Sequence, residues 1–186
     1  ARNGEAFWGH QRIGAQSDIV TMGKPMANGH PVAAVATTPD IMAAFRSSFR
    51  YFNTFGGNPV SCAAAMAVLD VIEDQGLQDN ARSVGAYARE GLHKLAQKHE
   101  CIGDVRGYGL FFGAELVTDR ATKAPATGHA IRVANEMRHR GVLLNKLGVH
   151  YNTLKIRPPM TFGTSHADFL LETLDAALDH LGPAVD

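Results

Sequence analysis

The segment from Val60 to Glu73 constrains the fold more than any other, because it is apolar on nearly every side. Asn58 and Pro59 come just before it. Asparagine as N-cap, followed by proline at the first helical position, is a good helix start. Gly76 ends the pattern. Because a helix without a polar face is buried in its own chain or lies against a partner subunit, the sequence predicts one of these two environments.

The chain changes character near residue 75. Before this point glycine and proline interrupt the sequence often, and residues 18–22 and 32–37 are short β-type runs. After it, apolar residues recur at three- and four-residue steps over 77–99, which predicts a long amphipathic helix, and strands and two further helices follow. We therefore predict an α/β fold in two parts, 1–75 and 76–186.

Local signals in the second part predict several element boundaries. Thr127 is expected to cap a helix that ends before Gly141. Ser165 and Asp168 have the spacing of a capping box at the start of the last helix. The runs 142–144 and 154–157 are read as short strands.

Composition excludes several kinds of partner. Eighteen basic residues balance eighteen acidic ones, so the basic excess typical of nucleic-acid binding is missing. No apolar run approaches the roughly 20 residues of a membrane span. The nine histidines show no metal-binding spacing, and the two cysteines lie far apart in sequence. We expect no metal, no nucleic-acid partner and no membrane partner, and a reduced, cytoplasmic location.

Lys24 has the most unusual surroundings of any lysine in the chain. It follows a strand-like run and lies between Gly23 and Pro25, and proline biases the preceding residue away from helix. The pattern differs from a phosphate-binding P-loop, because Pro25 stands where serine or threonine is required. Lys24 is therefore either a solvated surface residue or an amine suited to forming a Schiff base with an aldehyde cofactor.

Two further segments are candidates for anion binding. Residues 53–59 place Thr54 and two glycines before a helix N-terminus, where backbone N–H groups favour a phosphate. Arg157 precedes two prolines, and a fixed guanidinium suits bidentate binding of a carboxylate. The first segment is equally consistent with a simple loop before a helix, and the second with an arginine at a sheet edge.

Four motifs in this order resemble the class III aminotransferases, a branch of the pyridoxal 5'-phosphate (PLP) enzymes of fold type I. They are residues 7–31 around Lys24, 54–59 (TFGGNP), 106–110 (RGYGL) and 157–159 (RPP). Residues 51–70 and 152–160 are especially similar to the branch of alanine–glyoxylate aminotransferases and amino-alcohol phosphate phospho-lyases.

The resemblance implies specific roles for three residues. Lys24 would form the Schiff base with PLP and move protons at the substrate α-carbon. Thr54 would bind the PLP phosphate of the neighbouring subunit in a homodimer, and Arg157 would bind the substrate carboxylate. It also implies that 1–75 is the remainder of a large PLP-binding domain and 76–186 the small C-terminal α/β domain.

The resemblance also implies that part of the enzyme is missing from this chain. The family's aspartate that pairs with the pyridine nitrogen, and its main phosphate-binding loop, lie before the position matched by Ala1. We therefore expect no useful activity from this fragment alone. Three functions remain open: an aminotransferase acting on an amino acid or amine and a 2-oxo acid, a phospho-lyase acting on an amino-alcohol phosphate, and a non-catalytic dimerising module.

Overall fold

The computed structural model describes residues 1–185, which form two compact units. One unit combines Ala1–Trp8 with the chain from Leu77 onward, and the other is Gly9–Gly76. The division into 1–75 and 76–186 concerns the domains of the family and stays a prediction. Asp186, the last residue of the predicted second part, lies outside the described residues.

Helices and strands alternate irregularly along residues 1–185. The helices are α1 (Gly9–Arg12), α2 (Pro39–Ser48), α3 (Pro59–Asp74), α4 (Leu77–Lys98), α5 (Thr127–His139) and α6 (Thr164–Leu181). The strands are β1 (Ile19–Met22), β2 (Ala34–Thr37), β3 (Ile102–Tyr108), β4 (Phe111–Asp119), β5 (Ala124–Pro125), β6 (Asn145–Leu147) and β7 (Thr153–Ile156). Among these residues, no helix is long and apolar enough to cross a membrane.

The Gly9–Gly76 unit contains a two-stranded sheet and two longer helices. Strand β1 pairs with β2 in antiparallel register. Helix α3 begins as predicted, because Asn58 Oδ1 accepts a hydrogen bond from the amide of Ser61 at 2.9 Å and Pro59 is the first helical residue. Within residues 9–76 only Ala27 and Ser61 are buried. This unit therefore has almost no hydrophobic core of its own.

Helix α3 is largely exposed, although burial within its own chain was one of its two predicted environments. Val60 exposes 68% of its surface and Met66 exposes 56%, while Leu69 and Val71 are also exposed. Residues 1–185 therefore do not bury α3. A surface outside the chain stays the prediction for this helix.

The other unit has a substantial core. Its antiparallel sheet has the order β3-β4-β7-β6, and β5 pairs with β4. Helix α4 packs against β3 and α6, and α6 also contacts α5. Leu92, Leu116, Leu154 and Leu174 are fully buried, and each side chain of this size contributes roughly 1.5–3 kcal/mol. This core gives β7 a fixed place, and Arg157 follows directly after that strand.

Three predicted boundaries in this unit are wrong. Helix α5 already includes Thr127, whose hydroxyl donates to the carbonyl of His150 at 2.5 Å instead of capping the helix. The strand expected at 142–144 is displaced to β6. Helix α6 starts before Ser165, and its N-terminal contact is donated by the amide of Gly163 to Nδ1 of His166 at 3.1 Å.

Candidate functional site

Lys24 lies on a turn just after β1, as the sequence predicted. Its φ angle is 50°, in the left-handed region that few residues other than glycine adopt. It also precedes Pro25, and residues before proline are normally extended. The side chain is exposed in this chain. Such a conformation persists only when the surrounding structure holds it.

The turn that follows Lys24 is closed by backbone contacts. Ala27 and His30 form an antiparallel bridge, and the amide of His30 donates to the carbonyl of Ala27 at 3.1 Å. The amide of Asn28 donates to the carbonyl of Pro25 at 3.2 Å. Ala27 is buried, with 5% of its surface exposed. The Lys24 turn, residues 24–30, is therefore a fixed feature of its unit.

The Thr54 loop, residues 53–58, is held at both ends by asparagine side chains. Asn53 Oδ1 accepts from the amides of Phe55 at 3.1 Å and Gly56 at 3.0 Å. Asn58 Nδ2 donates to the carbonyl of Phe55 at 2.8 Å. Thr54 lies inside this braced turn with its side chain exposed. Its hydroxyl is thus presented to the surroundings from a loop of defined shape.

A side-chain contact brings the Lys24 turn and the Thr54 loop together. His30 Nε2 lies 2.8 Å from Ser61 Oγ, in the first turn of α3. Ser61 Oγ also accepts from Asn58 Nδ2 at 3.0 Å. Sequence reasoning missed His30 and Ser61, since residues 31 positions apart carry no local signal of contact.

Arg157 belongs to the other unit, one residue beyond the end of β7. Its side chain is exposed, and its guanidinium carbon lies 5.9 Å from the ring centre of Phe111 at the start of β4. That distance is near the limit for a cation–π interaction. Arg157 therefore stands at a strand end, as predicted, with an aromatic ring beside it.

Arg2 fixes the backbone at Arg157, and sequence reasoning did not single it out. Its Nη1 donates to the carbonyl of Arg157 at 3.2 Å and to the carbonyl of Pro158. The carbonyl of Arg2 accepts from the amide of Leu110 at 3.0 Å. Burial, and secondly the positive charge of Arg157, lower the pKa of Arg2. Arg2 therefore contacts two of the four family motifs, residues 106–110 and residues 157–159.

Arg157 also borders an open groove of about 690 Å³ within its unit. One wall is the stretch 141–145, and α6 contributes Phe169 and Leu170. Most of the lining is apolar, with Arg157 and Lys155 at the end of β7. The sequence did not predict this groove.

Helices α4 and α6 bring together three possible metal ligands. The donor atoms of His99, Asp175 and Asp179 lie within 4.8 Å of one another. Lys98 Nζ already contacts both carboxylates, at 2.8 Å for Asp175 and 2.7 Å for Asp179. We therefore interpret the cluster as an ion pair between two helices and assign no metal to it.

Comparison with known proteins identifies the family. The sequence pattern of the family described as Aminotransferase class-III matches residues 1–178. An Arabidopsis thaliana protein named alanine–glyoxylate aminotransferase 2 homolog 2, mitochondrial, is 48% identical over 97% of this chain. A Caenorhabditis elegans protein named ethanolamine-phosphate phospho-lyase homolog 1 is 47% identical over 94% of this chain. In each case the match covers 38% of the relative, so the chain spans about two fifths of its length.

Solved structures agree with this result. A phospholyase from Arthrobacter, in complex with phosphoethanolamine, matches 97% of this chain with a TM-score of 0.94 and 43% identity. A PLP-bound amine transaminase from an uncultivated Pseudomonas species matches 98% with a TM-score of 0.87 and 33% identity. The matches cover 43% and 42% of those chains. The resemblance seen in the sequence is confirmed: the chain belongs to the class III aminotransferases, PLP-dependent enzymes of fold type I, in the branch that includes alanine–glyoxylate aminotransferases and amino-alcohol phosphate phospho-lyases.

Proposed function

We propose that the natural-length protein carrying this chain is an aminotransferase that moves an amino group between an amino acid or amine and a 2-oxo acid. The Lys24 turn carries the proposal. A lysine in the left-handed conformation costs about 1–3 kcal/mol, and the backbone contacts within residues 24–30 close the turn that contains it. Such a cost is typical of a residue held in place for chemistry.

The candidate residues carry the kinds of side chain that bind PLP and its substrates. Lys24 offers an exposed amine for the cofactor aldehyde, and Thr54 offers an exposed hydroxyl for its phosphate. Arg157 offers a planar guanidinium for a substrate carboxylate. PLP, when bound, supplies the electron sink for the reaction.

The three residues have separate roles in the proposed reaction. Lys24 binds the cofactor covalently and afterwards carries a proton to and from the substrate α-carbon. Thr54 donates a hydrogen bond to the cofactor phosphate of the neighbouring subunit. Arg157 binds the substrate carboxylate and so restricts the orientation of the substrate.

Covalent labelling tests the role of Lys24. The natural-length protein is mixed with PLP and reduced with borohydride, and the modified peptides are mapped by mass spectrometry. We expect stoichiometric labelling of Lys24 and none there in Lys24→Ala, with the exposed Lys94 and Lys123 as internal comparisons. Labelling scattered over many lysines, or absent, would remove the enzyme proposal and favour the non-catalytic dimerising module.

The role of Arg157 predicts a loss that depends on the substrate carboxylate. Arg157→Gln removes a charge-assisted bidentate contact, so KM for an amino acid should rise about tenfold to a hundredfold. An amine without a carboxylate should be affected much less. Arg138→Gln, at an exposed position of α5 in the same unit, is the matched control. Equal losses for both substrates would contradict carboxylate binding by Arg157.

The second candidate function is a phospho-lyase acting on an amino-alcohol phosphate. The phosphoethanolamine complex of the similar Arthrobacter structure favours it, and arginine suits a phosphate as well as a carboxylate. The protein is given phosphoethanolamine alone, and separately alanine with glyoxylate. Release of inorganic phosphate in the first assay identifies the lyase, and glycine formation in the second identifies the aminotransferase.

A homodimer and a cytoplasmic location complete the proposal. The dimer is supported by the exposed apolar residues of α3 and of the segment before it, where Phe52 exposes 85% and Phe55 79% of their surface. The location is supported by two free cysteines, Cys62 and Cys101. The similar Arabidopsis protein is named as mitochondrial, so fractionation of the source cells is the relevant test.

A further inference from the structure

A chain of hydrogen bonds runs from the Lys24 turn to the Thr54 loop through His30 and Ser61. We propose that His30 and Ser61 are positioning residues that hold these two cofactor-binding segments in their places. The proposal rests on the proposed function, because it assumes that Lys24 and Thr54 bind PLP. Neither His30 nor Ser61 is assigned contact with the cofactor itself.

Burial singles out this contact within its unit. Ser61 exposes 9% of its surface and Ala27 exposes 5%, and they are the only two buried residues in Gly9–Gly76. Ala27 belongs to the Lys24 turn and Ser61 to the first turn of α3. With so little apolar packing, directional hydrogen bonds carry a larger share of what fixes the turn against the helix.

The hydrogen-bond directions form a consistent chain. Asn58 Oδ1 accepts from the amide of Ser61 at 2.9 Å, which sets the orientation of the asparagine amide. Its Nδ2 therefore donates to Ser61 Oγ at 3.0 Å. The serine hydroxyl can then donate to Nε2 of His30, 2.8 Å away, in the tautomer that leaves this nitrogen as an acceptor. The buried hydroxyl is thereby satisfied on both sides.

Each end of this series of hydrogen bonds contacts one of the two segments, the Lys24 turn or the Thr54 loop. At one end His30 closes the Lys24 turn through its bridge with Ala27. At the other end Asn58 Nδ2 also donates to the carbonyl of Phe55, inside the Thr54 loop. Removing the central hydroxyl should therefore loosen the Lys24 turn and the Thr54 loop together.

The test compares PLP binding among variants of the natural-length protein. Ser61→Ala removes only the hydroxyl, and His30→Phe keeps an aromatic ring that cannot accept its proton. Loss of one such bond should weaken PLP binding about twofold to tenfold and lower the fraction of Lys24 that borohydride fixes to the cofactor. His30→Gln, whose side-chain amide can still bond to the hydroxyl, should retain most of the binding.

Ser47→Ala is the matched control, because Ser47 bonds only to the carbonyl of Ala44 on an exposed part of α2 in the same unit. The two His30 variants separate positioning from packing. If His30 only fills space, His30→Phe should retain PLP binding and His30→Gln should lose it. That result would overturn the proposal, and it can be obtained even if Ser61→Ala fails to fold. Unchanged binding in both Ser61→Ala and His30→Phe would also overturn it and leave the proposed function intact. Absence of Lys24 labelling in the unsubstituted protein would remove both.

Discussion

At the scale of single residues, two glycines allow a helix and a turn to approach closely. A Cβ on Gly85, in the middle of α4, would lie 2.1 Å from the carbonyl oxygen of Gly109 in the turn between β3 and β4. Gly109 has a φ angle of 50°, and a Cβ there would lie 2.2 Å from the carbonyl oxygen of Arg2. The helix, the turn and the Arg2 segment therefore meet backbone to backbone.

Gly85→Ala should destabilise the protein, because the obstacle is backbone that cannot rotate away. We expect a loss of about 1–3 kcal/mol in the free energy of unfolding, measured by urea denaturation. Gly91→Ala, in the same helix, is the control. Its Cβ would meet the end of the Leu171 side chain, which can rotate, and alanine is the better helix former. Equal losses in the two variants would contradict a backbone obstacle at Gly85.

Local sequence signals singled out two of the candidate site residues. Lys24 is a candidate because of the glycine and proline beside it, and Arg157 because of the prolines that follow it. His30, Ser61 and Arg2 were not recognisable, because each acts through a contact with residues distant in sequence. Their roles require the fold.

At the scale of elements, α4 and α6 are joined by charged groups in addition to their apolar contact. Asp175 accepts hydrogen bonds from Lys98 at 2.8 Å and from His99 at 2.5 Å. Burial opposes ionisation of Asp175, but these bonds outweigh it and lower its pKa. A carboxylate with a lowered pKa stabilises the folded state above its unfolded pKa, and this contribution is lost as the pH falls through the folded pKa.

Asp175→Asn should therefore reduce stability near neutral pH and matter less in acid. We expect a difference from the unsubstituted protein of about 1 kcal/mol at pH 7, shrinking below about pH 4, measured by denaturation across pH. Asp179→Asn is the control, since its carboxylate is more exposed and contacts only Lys98, and it should have a smaller effect. A difference for Asp175→Asn that grew in acid would contradict the assigned direction.

Element boundaries followed the sequence where they depended on neighbouring residues. Asn58 and Pro59 start α3 as predicted, because capping involves only the first turn. Thr127 fails as a cap because Ala126 occupies the cap position, and the Thr127 hydroxyl donates instead to the carbonyl of His150, 23 residues away. The strand expected at 142–144 fails because β7 pairs with 145–147 instead. Tertiary pairing decided these cases.

At the scale of the whole molecule, the proposed dimer divides each cofactor site between two subunits. Lys24 would come from one chain and Thr54 from its neighbour. Within one chain, the contact between His30 and Ser61 then links residues that serve different sites. The two sites of a dimer would be connected through the fold of each subunit.

Mixed dimers test this division directly. Lys24→Ala and Thr54→Ala variants are each expected to bind PLP poorly on their own. After the two are refolded together, about a quarter of all sites should combine an intact lysine with an intact threonine. Cofactor labelling and activity should recover to that level. No recovery would mean that both residues serve the same subunit's site.

The exposed apolar face of α3 has a consequence for how such a protein behaves at low concentration. If a second subunit covers it, association would add apolar contacts to the unit that carries Lys24, because Gly9–Gly76 has just two buried residues of its own. Retention of the cofactor would then depend on protein concentration through the law of mass action. Diluted subunits would keep their covalent structure and bind the coenzyme more weakly.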